Sequence, residues 1–349
     1  MRRLGEACGF ELAGVARAAP AGDRDHYHAW AEAGFAGEMR YLTDRRTAMR
    51  DDPRTLLPSA RSVISVGKLY NAPQPYPTQF DDAELAWISR YAWGEDYHRV
   101  IRQGLRRLEG SLREFAGSPF ESRICVDTAP LLERTYARLA GLGWIGKNTC
   151  LINQPRGSWF FLGELLVSLE IEPDAPPPDR CGTCRRCIDA CPTQAIVPFG
   201  GHHAVDSRLC ISYLTIELRG GIAEDRRAGN GGHVFGCDIC QDVCPWNARA
   251  PVTGDAALHP RQVAPPLERL AALSEAEFGE LFGDTPVWRA RYSGFLRNVA
   301  VAIGNRGLPQ FRPALEKLVA SAEPMVAEHA RWALERLAEE AAEKLREGL

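Results

Sequence analysis

The sequence lacks any long apolar run. No stretch approaches the ~20 apolar residues that a membrane-spanning helix needs, and the N-terminal segment MRRLGEACGF has two arginines but not the apolar centre of a secretory signal. An excess of charge of either sign is also missing, because 42 lysines and arginines face 45 aspartates and glutamates, for a net charge of −3. We therefore expect a cytoplasmic protein without a membrane segment, in a compartment where thiols stay reduced.

With 349 residues, the chain is too long for one ordinary hydrophobic core, so two or three domains are expected. A hydrophobic content of 45% and a charged content of 25% are typical of globular proteins. Two segments rich in proline and other turn-forming residues, EIEPDAPPPDR at 170–180 and APVTGDAALHPRQVAPP at 250–266, interrupt the regular patterns. They predict three domains, at residues 1–175, 176–250 and 251–349.

Eleven cysteines in a reducing compartment indicate metal binding rather than disulfides. Four of them form C-x2-C-x2-C-x3-C-P, the run of bacterial ferredoxins, in which the fourth cysteine binds the other of two clusters. A second run, C-x2-C-x3-C-P, is one cysteine short, and Cys210 between the runs can supply it. Exchanging the last cysteine of each run gives two sets of four. The first set is Cys181, Cys184, Cys187 and Cys244, and the second set is Cys191, Cys210, Cys237 and Cys240.

Structural zinc is the alternative use of these thiols. Zinc sites usually show two C-x2–4-C knuckles without a tight third cysteine or a trailing Cys-Pro, so two [4Fe–4S] clusters are favoured. The remaining cysteines, Cys8, Cys125 and Cys150, have apolar or small neighbours and are predicted to be buried, unreactive thiols. Because two clusters alone need far less chain than this, another part of the protein should receive the electrons.

The first predicted domain mixes strands and helices without regular alternation. Segments 62–67, 122–127 and 159–171 are apolar and partly β-branched, which predicts buried strands, the last as one strand or as two broken near Gly163. Segment 96–115 predicts an amphipathic helix. Segment 130–143 predicts a second helix that starts at Pro130 and ends near Gly141. The predicted fold class is α+β.

The third predicted domain is helical. Ser274 and Glu277 have the spacing of a capping box. Segments 295–307 and 327–339 resemble each other at a spacing of 31 residues, which fits repeats of paired helices or a generic helix bundle. Residues 285–315 contain five arginines and no acidic residue, which suits phosphate binding or a merely solvated helix surface. These arginines are Arg289, Arg291, Arg297, Arg306 and Arg312.

Asp127 is the main candidate for acid chemistry. It ends an apolar strand and precedes a helix, where burial would raise its pKa and make it a usable proton donor. The same position suits a helix N-cap equally well, so the spacing leaves both interpretations open. The loop GWIGKN at 143–148 lets the backbone approach a ligand closely, but it lacks the G-x4-G-K-[ST] spacing of a P-loop.

Several motifs together closely resemble the epoxyqueuosine reductase family over nearly the whole chain. They are ISRYAWGEDYH (88–98), DTAPLLERTYARLAGLGWIGKNT (127–149), the two cysteine runs, CISYLTIE (210–217) and GFLRNVAVAIGN (294–305). The resemblance implies reduction of epoxyqueuosine to queuosine at the wobble position of tRNA, the last step of queuosine biosynthesis, with cobalamin and two [4Fe–4S] clusters. It implies a nitroreductase-like cobalamin domain, a bacterial ferredoxin-like double-cluster module and C-terminal HEAT-like repeats that bind the tRNA.

The same resemblance implies roles for individual residues. The proton donor of the family would be Asp127, the aspartate of the D-[ST]-x-P-x-x-E-R stretch. Contacts to the corrin would come from Arg50, Tyr97, Asp127, Leu151, Leu162 and Ser212. The cobalamin signature D-x-H-x-x-G is absent, since Ile101 stands where the segment starting at Asp96 would need glycine. We therefore expect no protein histidine on cobalt.

The expected partners are a tRNA with a GUN-type anticodon, bound through its anticodon arm, and an electron donor that the sequence does not identify. A monomer without membrane contact is expected. Two other function classes are open: a corrinoid-dependent, dehalogenase-like reductase of a small molecule, and a plain two-cluster electron-transfer protein. The basic helical segment favours the tRNA substrate over the first, and the large domain before the clusters argues against the second.

Four thiolates for each of two cubanes predict about eight irons per chain. We expect Cys210→Ala to remove one cluster, because it deletes a ligand of the second set, and Cys8→Ala to remove none. Iron and sulfide analysis of anaerobically purified protein checks both variants. Firmly bound zinc in place of iron would contradict the prediction.

Overall fold

The computed structural model describes residues 1–73 and 75–347. Its strands are β1 Leu12–Arg17, β2 Ser62–Leu69, β3 Trp87–Ile88, β4 Ser122–Cys125, β5 Trp144–Ile145, β6 Leu151–Ile152, β7 Phe160–Val167, β8 Ile196–Phe199, β9 His202–Val205 and β10 His233–Phe235. Its α-helices are α1 Arg2–Ala7, α2 Arg24–Glu32, α3 Arg40–Thr43, α4 Tyr97–Ala116, α5 Glu133–Leu139, α6 Arg186–Asp189, α7 Glu224–Arg227, α8 Ile239–Asp242, α9 Leu267–Ala271, α10 Glu275–Phe282, α11 Tyr292–Arg306, α12 Arg312–Val319 and α13 Pro324–Glu347.

The N-terminal part is built on a four-stranded sheet with the order β1-β2-β7-β4, in which all neighbours are antiparallel. Every residue of β2 is buried, because α4 packs on one face of the sheet and α5 on the other. A strand covered on both faces consists of continuous apolar residues rather than alternating ones. This explains why the predicted buried strand at 62–67 is confirmed. The strand predicted at 122–127 is present only over Ser122–Cys125, and of its residues only Cys125 is buried, because β4 lies at the edge of the sheet.

Strand β7 runs without a break through Gly163, so the alternative of two strands in this segment is wrong. A Cβ atom at Gly163 would lie 2.5 Å from Cγ2 of Ile101 in α4. The glycine therefore marks the point where the helix approaches the strand most closely, not a strand end.

Helix α4 confirms the predicted amphipathic helix. Its N-cap Asp96 accepts a hydrogen bond from the backbone amide of His98, and Gly117 ends it in the left-handed conformation. Helix α5 is shorter than predicted, since it begins at Glu133 instead of Pro130 and ends at Leu139. The chain from 126 to 132 forms irregular turns, which move Asp127 away from the helix start.

The cysteine runs lie on two short helices that contact each other, α6 with Cys187 and α8 with Cys240. Between them the chain forms the β8–β9 hairpin and a π-helical segment, Tyr213–Glu217, which follows Cys210. Single π-turns inside helical segments are rare and are frequent at functional sites.

The C-terminal part is helical, as predicted, and the capping box of Ser274 and Glu277 is present. Helices α11 and α13, which contain the two similar segments, pack against each other, and Gly304 lets α11 approach Ala333 closely. One hydrophobic core includes Trp87, Phe235 and Phe295 and so extends across all three predicted segments. The domain boundaries and the HEAT-like character of the helices stay predictions. In the described chain no helix has the length and apolar character to cross a membrane.

Arg297 does not belong to an exposed basic face, so its predicted contact with phosphate is wrong. Its side chain in α11 is only 1% exposed. The guanidinium donates to the carbonyl oxygens of Leu214 at 2.6 Å, Leu218 at 3.0 Å and Gly220. Arg297 therefore holds the π-helical segment and the turn after it against the C-terminal helices.

We expect Arg297→Met to destabilise the fold by about 2–4 kcal/mol, because three buried carbonyl groups lose a charged donor. The exposed Arg312→Met in α12 is the matched control and should change stability little. Urea denaturation of both variants measures the difference. Equal stability of the two variants would mean that the buried guanidinium makes no net contribution to the free energy of unfolding.

Candidate active site and cluster-binding module

Asp127 stands in the turn that follows β4, with a left-handed φ of 53°. Its backbone amide donates to Oε1 of Glu133 at 2.6 Å. The N-cap position of α5 belongs to Leu132, so the interpretation of Asp127 as a helix cap is wrong. Few residues other than glycine adopt positive φ, and aspartate is among those that tolerate it. The turn leaves the Asp127 side chain 41% exposed.

His98 connects Asp127 to the start of α4. Its Nδ1 lies 2.6 Å from Oδ1 of Asp96 and its Nε2 lies 3.1 Å from Oδ2 of Asp127. Burial opposes a charge on the imidazole, but the hydrogen bonds to Asp127 and Asp96 outweigh it and raise the pKa of His98 to about 9. Burial of Asp127 is outweighed in the same way, and the hydrogen bond from His98 holds the pKa of Asp127 below its usual value, so the predicted rise of this pKa is wrong. At neutral pH the pair is an imidazolium with a carboxylate.

A second cation faces the same carboxylate. Nη1 of Arg289 lies 4.0 Å from Oδ2 of Asp127, and its Nε and Nη2 bind the carboxylate of Glu217 at 2.6 and 3.2 Å. The guanidinium also lies over the ring of Tyr41, 5.7 Å from its centroid. Arg289 is thus a residue of this site and not a free phosphate contact.

Two further carboxyl groups lie behind Asp127. Glu164 in β7 is 0% exposed, and Glu133 accepts the amide hydrogen of Asp127. Burial, with the nearby Asp127, raises the pKa of Glu133 to about 7, and burial beside Glu133 raises the pKa of Glu164 well above its usual value. We infer that this pair keeps a proton at neutral pH, because two adjacent buried carboxylates would repel each other.

The residues implied as corrin contacts fall on several elements around this site. Tyr97, the first residue of α4, stacks on Phe161 with ring centroids 4.2 Å apart. Leu151 and Leu162 belong to one apolar cluster, together with Ala129 of the Asp127 turn. Arg50 is buried and donates to the carbonyl oxygen of Tyr41 at 3.1 Å. Ser212 hydrogen-bonds Cys210. Their contact with a corrin stays a prediction.

The first set of four thiols lines one cavity of about 290 Å³. Lys147, Arg180, Arg186 and Trp246 share it. Its cysteines are Cys181, Cys184, Cys187 and Cys244. The ammonium of Lys147 donates to the carbonyl oxygens of Gly182 at 2.7 Å and Cys184 at 2.8 Å. The GWIGKN loop therefore supports a cysteine-bearing loop instead of facing a phosphate.

The second set also converges. Burial and the neighbouring thiol of Cys210 raise the pKa of Cys237, and burial and the thiol of Cys191 raise the pKa of Cys210. The thiol of Cys240 lies close to both Cys237 and Cys210. Within residues 1–73 and 75–347, no three potential ligands are near enough to hold a single ion.

The three remaining cysteines differ from one another. Cys8 and Cys125 are buried, as predicted. Cys150 is only partly buried, and its thiol contacts the thiol of Cys240, which lowers the pKa of Cys150. The prediction of a buried thiol is therefore wrong for Cys150, and its contact with Cys240 places it beside a predicted cluster ligand.

Sequence reasoning missed most of the charged partners of Asp127. His98 was noticed only as part of an incomplete cobalamin signature, and Arg289 only as one of five arginines. Glu133 follows Asp127 by six residues in the quoted family stretch, which was a usable signal. No local pattern indicated that Glu217 would bind Arg289, because 72 residues separate them.

Residues 180–247 match the family model of a 4Fe-4S double cluster binding domain. Eight converging cysteines in such a domain, beside a charged carboxylate site, define an iron–sulfur oxidoreductase. Residues 50–128, which contain the Arg50 and Asp127 turns, match the family model of epoxyqueuosine reductase QueG (DUF1730).

Full-length comparisons identify the particular family. The chain is 41% identical to epoxyqueuosine reductase of Xanthomonas campestris, over 96% of this chain and 94% of the relative. It is 42% identical to that of Pseudomonas aeruginosa, over 95% and 92%. A crystal structure of epoxyqueuosine reductase with a tRNA-Tyr epoxyqueuosine-modified stem loop superposes with a TM-score of 0.87 at 28% identity, over 96% of this chain and 88% of the other. The chain belongs to the epoxyqueuosine reductase family.

We predict that His98 stays protonated through neutral pH. Its pKa of about 9 lies above the ordinary value of 6.5, so its pairing stabilises the fold fully below pH 6.5, and this contribution is lost as the pH rises through about 9. Asp127→Asn should lower the pKa of His98, because the main hydrogen-bonding carboxylate is gone.

A nitrogen NMR titration of the histidine rings checks this prediction. His233, whose pKa burial lowers to about 4, is the internal control and should not respond to Asp127→Asn. An unchanged titration of His98 in the variant would show that Asp127 does not hold its charge.

Proposed function

We propose that this protein reduces epoxyqueuosine to queuosine at the wobble position of tRNAs with GUN anticodons, using electrons that pass through two [4Fe–4S] clusters to cobalamin. One observation carries the proposal. The segment from Cys210 to Glu217 joins a cluster ligand at one end to the carboxylate that holds Arg289 beside Asp127 at the other. A redox group and a proton-transfer site are therefore connected through eight residues of chain.

The reaction requires two electrons and two protons. An epoxide that takes up both becomes an alkene and releases its oxygen as water. One proton must reach the oxygen as the first C–O bond breaks, because an alkoxide is a poor product without it. Asp127 is the exposed acid-base group of the site, and His98 holds the proton that Asp127 would deliver.

In the resting site the proton resides on Nε2 of His98, since Asp127 is a carboxylate. Negative charge that develops on the substrate oxygen would draw this proton to Oδ2 of Asp127, across the 3.1 Å hydrogen bond. Asp96 keeps the imidazole in place by accepting from Nδ1. Arg289 then stabilises the charge on the site without supplying a proton, because a guanidinium does not lose one.

Partly exposed Leu162 and Ala129 supply an apolar surface that suits a corrin. We assign the polar contacts to Arg50, Tyr97 and Ser212, as the resemblance implies. Bound cobalamin in its low-valent state would supply the electron pair at the epoxide carbon. Both ring nitrogens of His98 are already hydrogen-bonded. This supports binding without a protein histidine on the cobalt.

A tRNA substrate is supported by the match to a structure that contains a modified stem loop. Of the five arginines in the basic segment, Arg291 and Arg312 are exposed, and we assign the anticodon-arm phosphates to these two. The helices α9–α13 would then act as the HEAT-like tRNA-binding domain at 251–349, after the catalytic part at 1–175 and the cluster module at 176–250. A cytoplasmic monomer fits this role.

The test is direct. Anaerobically reconstituted protein with cobalamin and a chemical reductant should convert epoxyqueuosine in a tRNA anticodon stem loop to queuosine, detected by mass spectrometry of the nucleosides. Protein without cobalamin is the control. Retention of the epoxide by fully loaded protein would contradict the proposed function.

We predict that Asp127→Asn lowers the turnover number by about 10²–10⁴-fold, the usual contribution of general acid–base catalysis. Asparagine can still accept from His98 but cannot transmit its proton. Iron content, cobalamin binding and stem-loop affinity should be retained. Near-normal turnover in the folded, loaded variant would remove Asp127 from the proton path.

A further inference from the structure

The two sets of cysteines have different surroundings. Residues next to Cys210 and Cys237, including Ile211, Phe235 and Asp238, are buried, although Pro192 beside Cys191 is exposed. Around the first set, by contrast, Arg180, Gly182, Thr183, Arg185 and Arg186 are all exposed. Since the Cys210 segment leads on to the Asp127 site, the second set is the inner one. An electron carrier in solution would reach the first set more easily.

The exposed chain beside the first set is strongly basic. Segment 180–187 has three arginines and no acidic residue. Arg180 and Arg186 form no ion pair within the described part of the chain, and both line the cavity of the first set together with Lys147. Arg185 pairs with Asp189 at 3.3 Å but keeps 64% of its side chain exposed. We call Lys147, Arg180, Arg185 and Arg186 the basic rim.

Two carboxylates, Asp179 and Asp189, lie beside the four cations of the basic rim and reduce its positive charge without cancelling it. Asp179 accepts the backbone amide of Cys181 at 2.7 Å, and Asp189 has only Arg185 as an ion-pair partner among the described residues. Beyond the rim, burial, Lys147 and Arg185 together lower the pKa of His203, which agrees with a positive potential on this face.

We propose that the basic rim is the docking surface for an acidic one-electron carrier protein, and that electrons enter through the cluster held by Cys181, Cys184, Cys187 and Cys244. The inference rests on the proposed function only for the fate of the electrons. Each encounter oxidises the carrier by one electron and reduces the cluster from the 2+ to the 1+ state. Two encounters supply the two electrons that one epoxide consumes.

The charge of the rim determines the expected kinetics. Complementary charges steer proteins into contact and raise association rates by about 10–10³-fold, and the effect falls steeply with ionic strength. The exposed rim charges should therefore affect the rate at which an acidic carrier reduces the cluster. They should have less effect on the reduction potential and the assembly of the cluster. A small cationic reductant should gain nothing from them.

The experiment uses the full chain with both clusters and without tRNA. Reduced flavodoxin is the acidic probe, and reduced methyl viologen is the small cationic reference. Stopped-flow loss of cluster absorbance gives a rate constant for each. In R180E/R185E the rate constant for flavodoxin should itself fall by about 10-fold or more at low salt, which lowers its ratio to the viologen rate constant, and its dependence on salt should reverse. R180K/R185K should restore the ratio.

R102E/R106E is the matched control. It reverses two exposed arginines on α4, which line neither the cavity nor the Asp127 site, and its ratio should equal that of the unmodified protein. An unchanged ratio in R180E/R185E overturns the proposal. If R180E/R185E binds the tRNA stem loop more weakly but keeps the same ratio of rate constants, the proposal is also overturned. The basic rim would then be an RNA-binding surface. If the double variant contains less iron, the same rate constants are measured for the single variants R180E and R185E.

Cluster reduction is measured without the epoxide, so the result does not depend on the proposed function. Protein that accepts electrons from flavodoxin through the rim but leaves epoxyqueuosine unchanged would contradict the function and support the docking surface. If the protein reduces epoxyqueuosine with viologen but R180E/R185E has no effect on reduction by flavodoxin, the proposed function is supported and the docking surface is contradicted.

Discussion

The buried guanidinium of Arg297 is the interaction on which the arrangement of the site depends. It lies in α11 and binds three carbonyl oxygens in and just after the π-helical segment. The adjacent Asn298 donates to the carbonyl oxygens of Thr215 and Val234. A charged donor buried in this way must be fully hydrogen-bonded. The segment between Cys210 and Gly220 is therefore fixed with little freedom, and with it the positions of a cluster ligand and of Glu217.

The charged groups around Asp127 come from several separate elements, which the hydrogen bonds of Arg297 and Asn298 help to hold in place. Glu217 comes from the π-helical segment, Arg289 from the chain before α11, and His98 from the first turn of α4. Each of the two cations has a second partner that fixes its direction: Glu217 for Arg289, and Asp96 for His98. The carboxylate of Asp127 is thus held by groups from both halves of the chain, while its own backbone adopts a positive φ.

Sequence patterns predicted the elements well and their limits less well. The strands at 62–67 and 122–127, helix 96–115 and the capping box at Ser274 follow from local periodicity and capping chemistry, and all are present. The single strand through Gly163 was not determined locally, because its glycine is explained only by the approach of α4. The composition of 285–315 suggested one basic face, whereas Arg297 is buried and Arg289 faces Asp127. Charge counts do not show which way a side chain points.

The sequence by itself determined the chemistry that depends on spacing along the chain. Cysteines with two or three residues between them must lie close together on the chain, so the ligand runs and the need for Cys210 could be identified without a structure. The tertiary structure alone decided the protonation of the site. The pKa of His98 and the charge on Asp127 arise from contacts between residues 29 positions apart, and the Arg289–Glu217 pair spans 72. Electrostatic interactions depend on distance in space and on burial, and neither can be obtained from local sequence order.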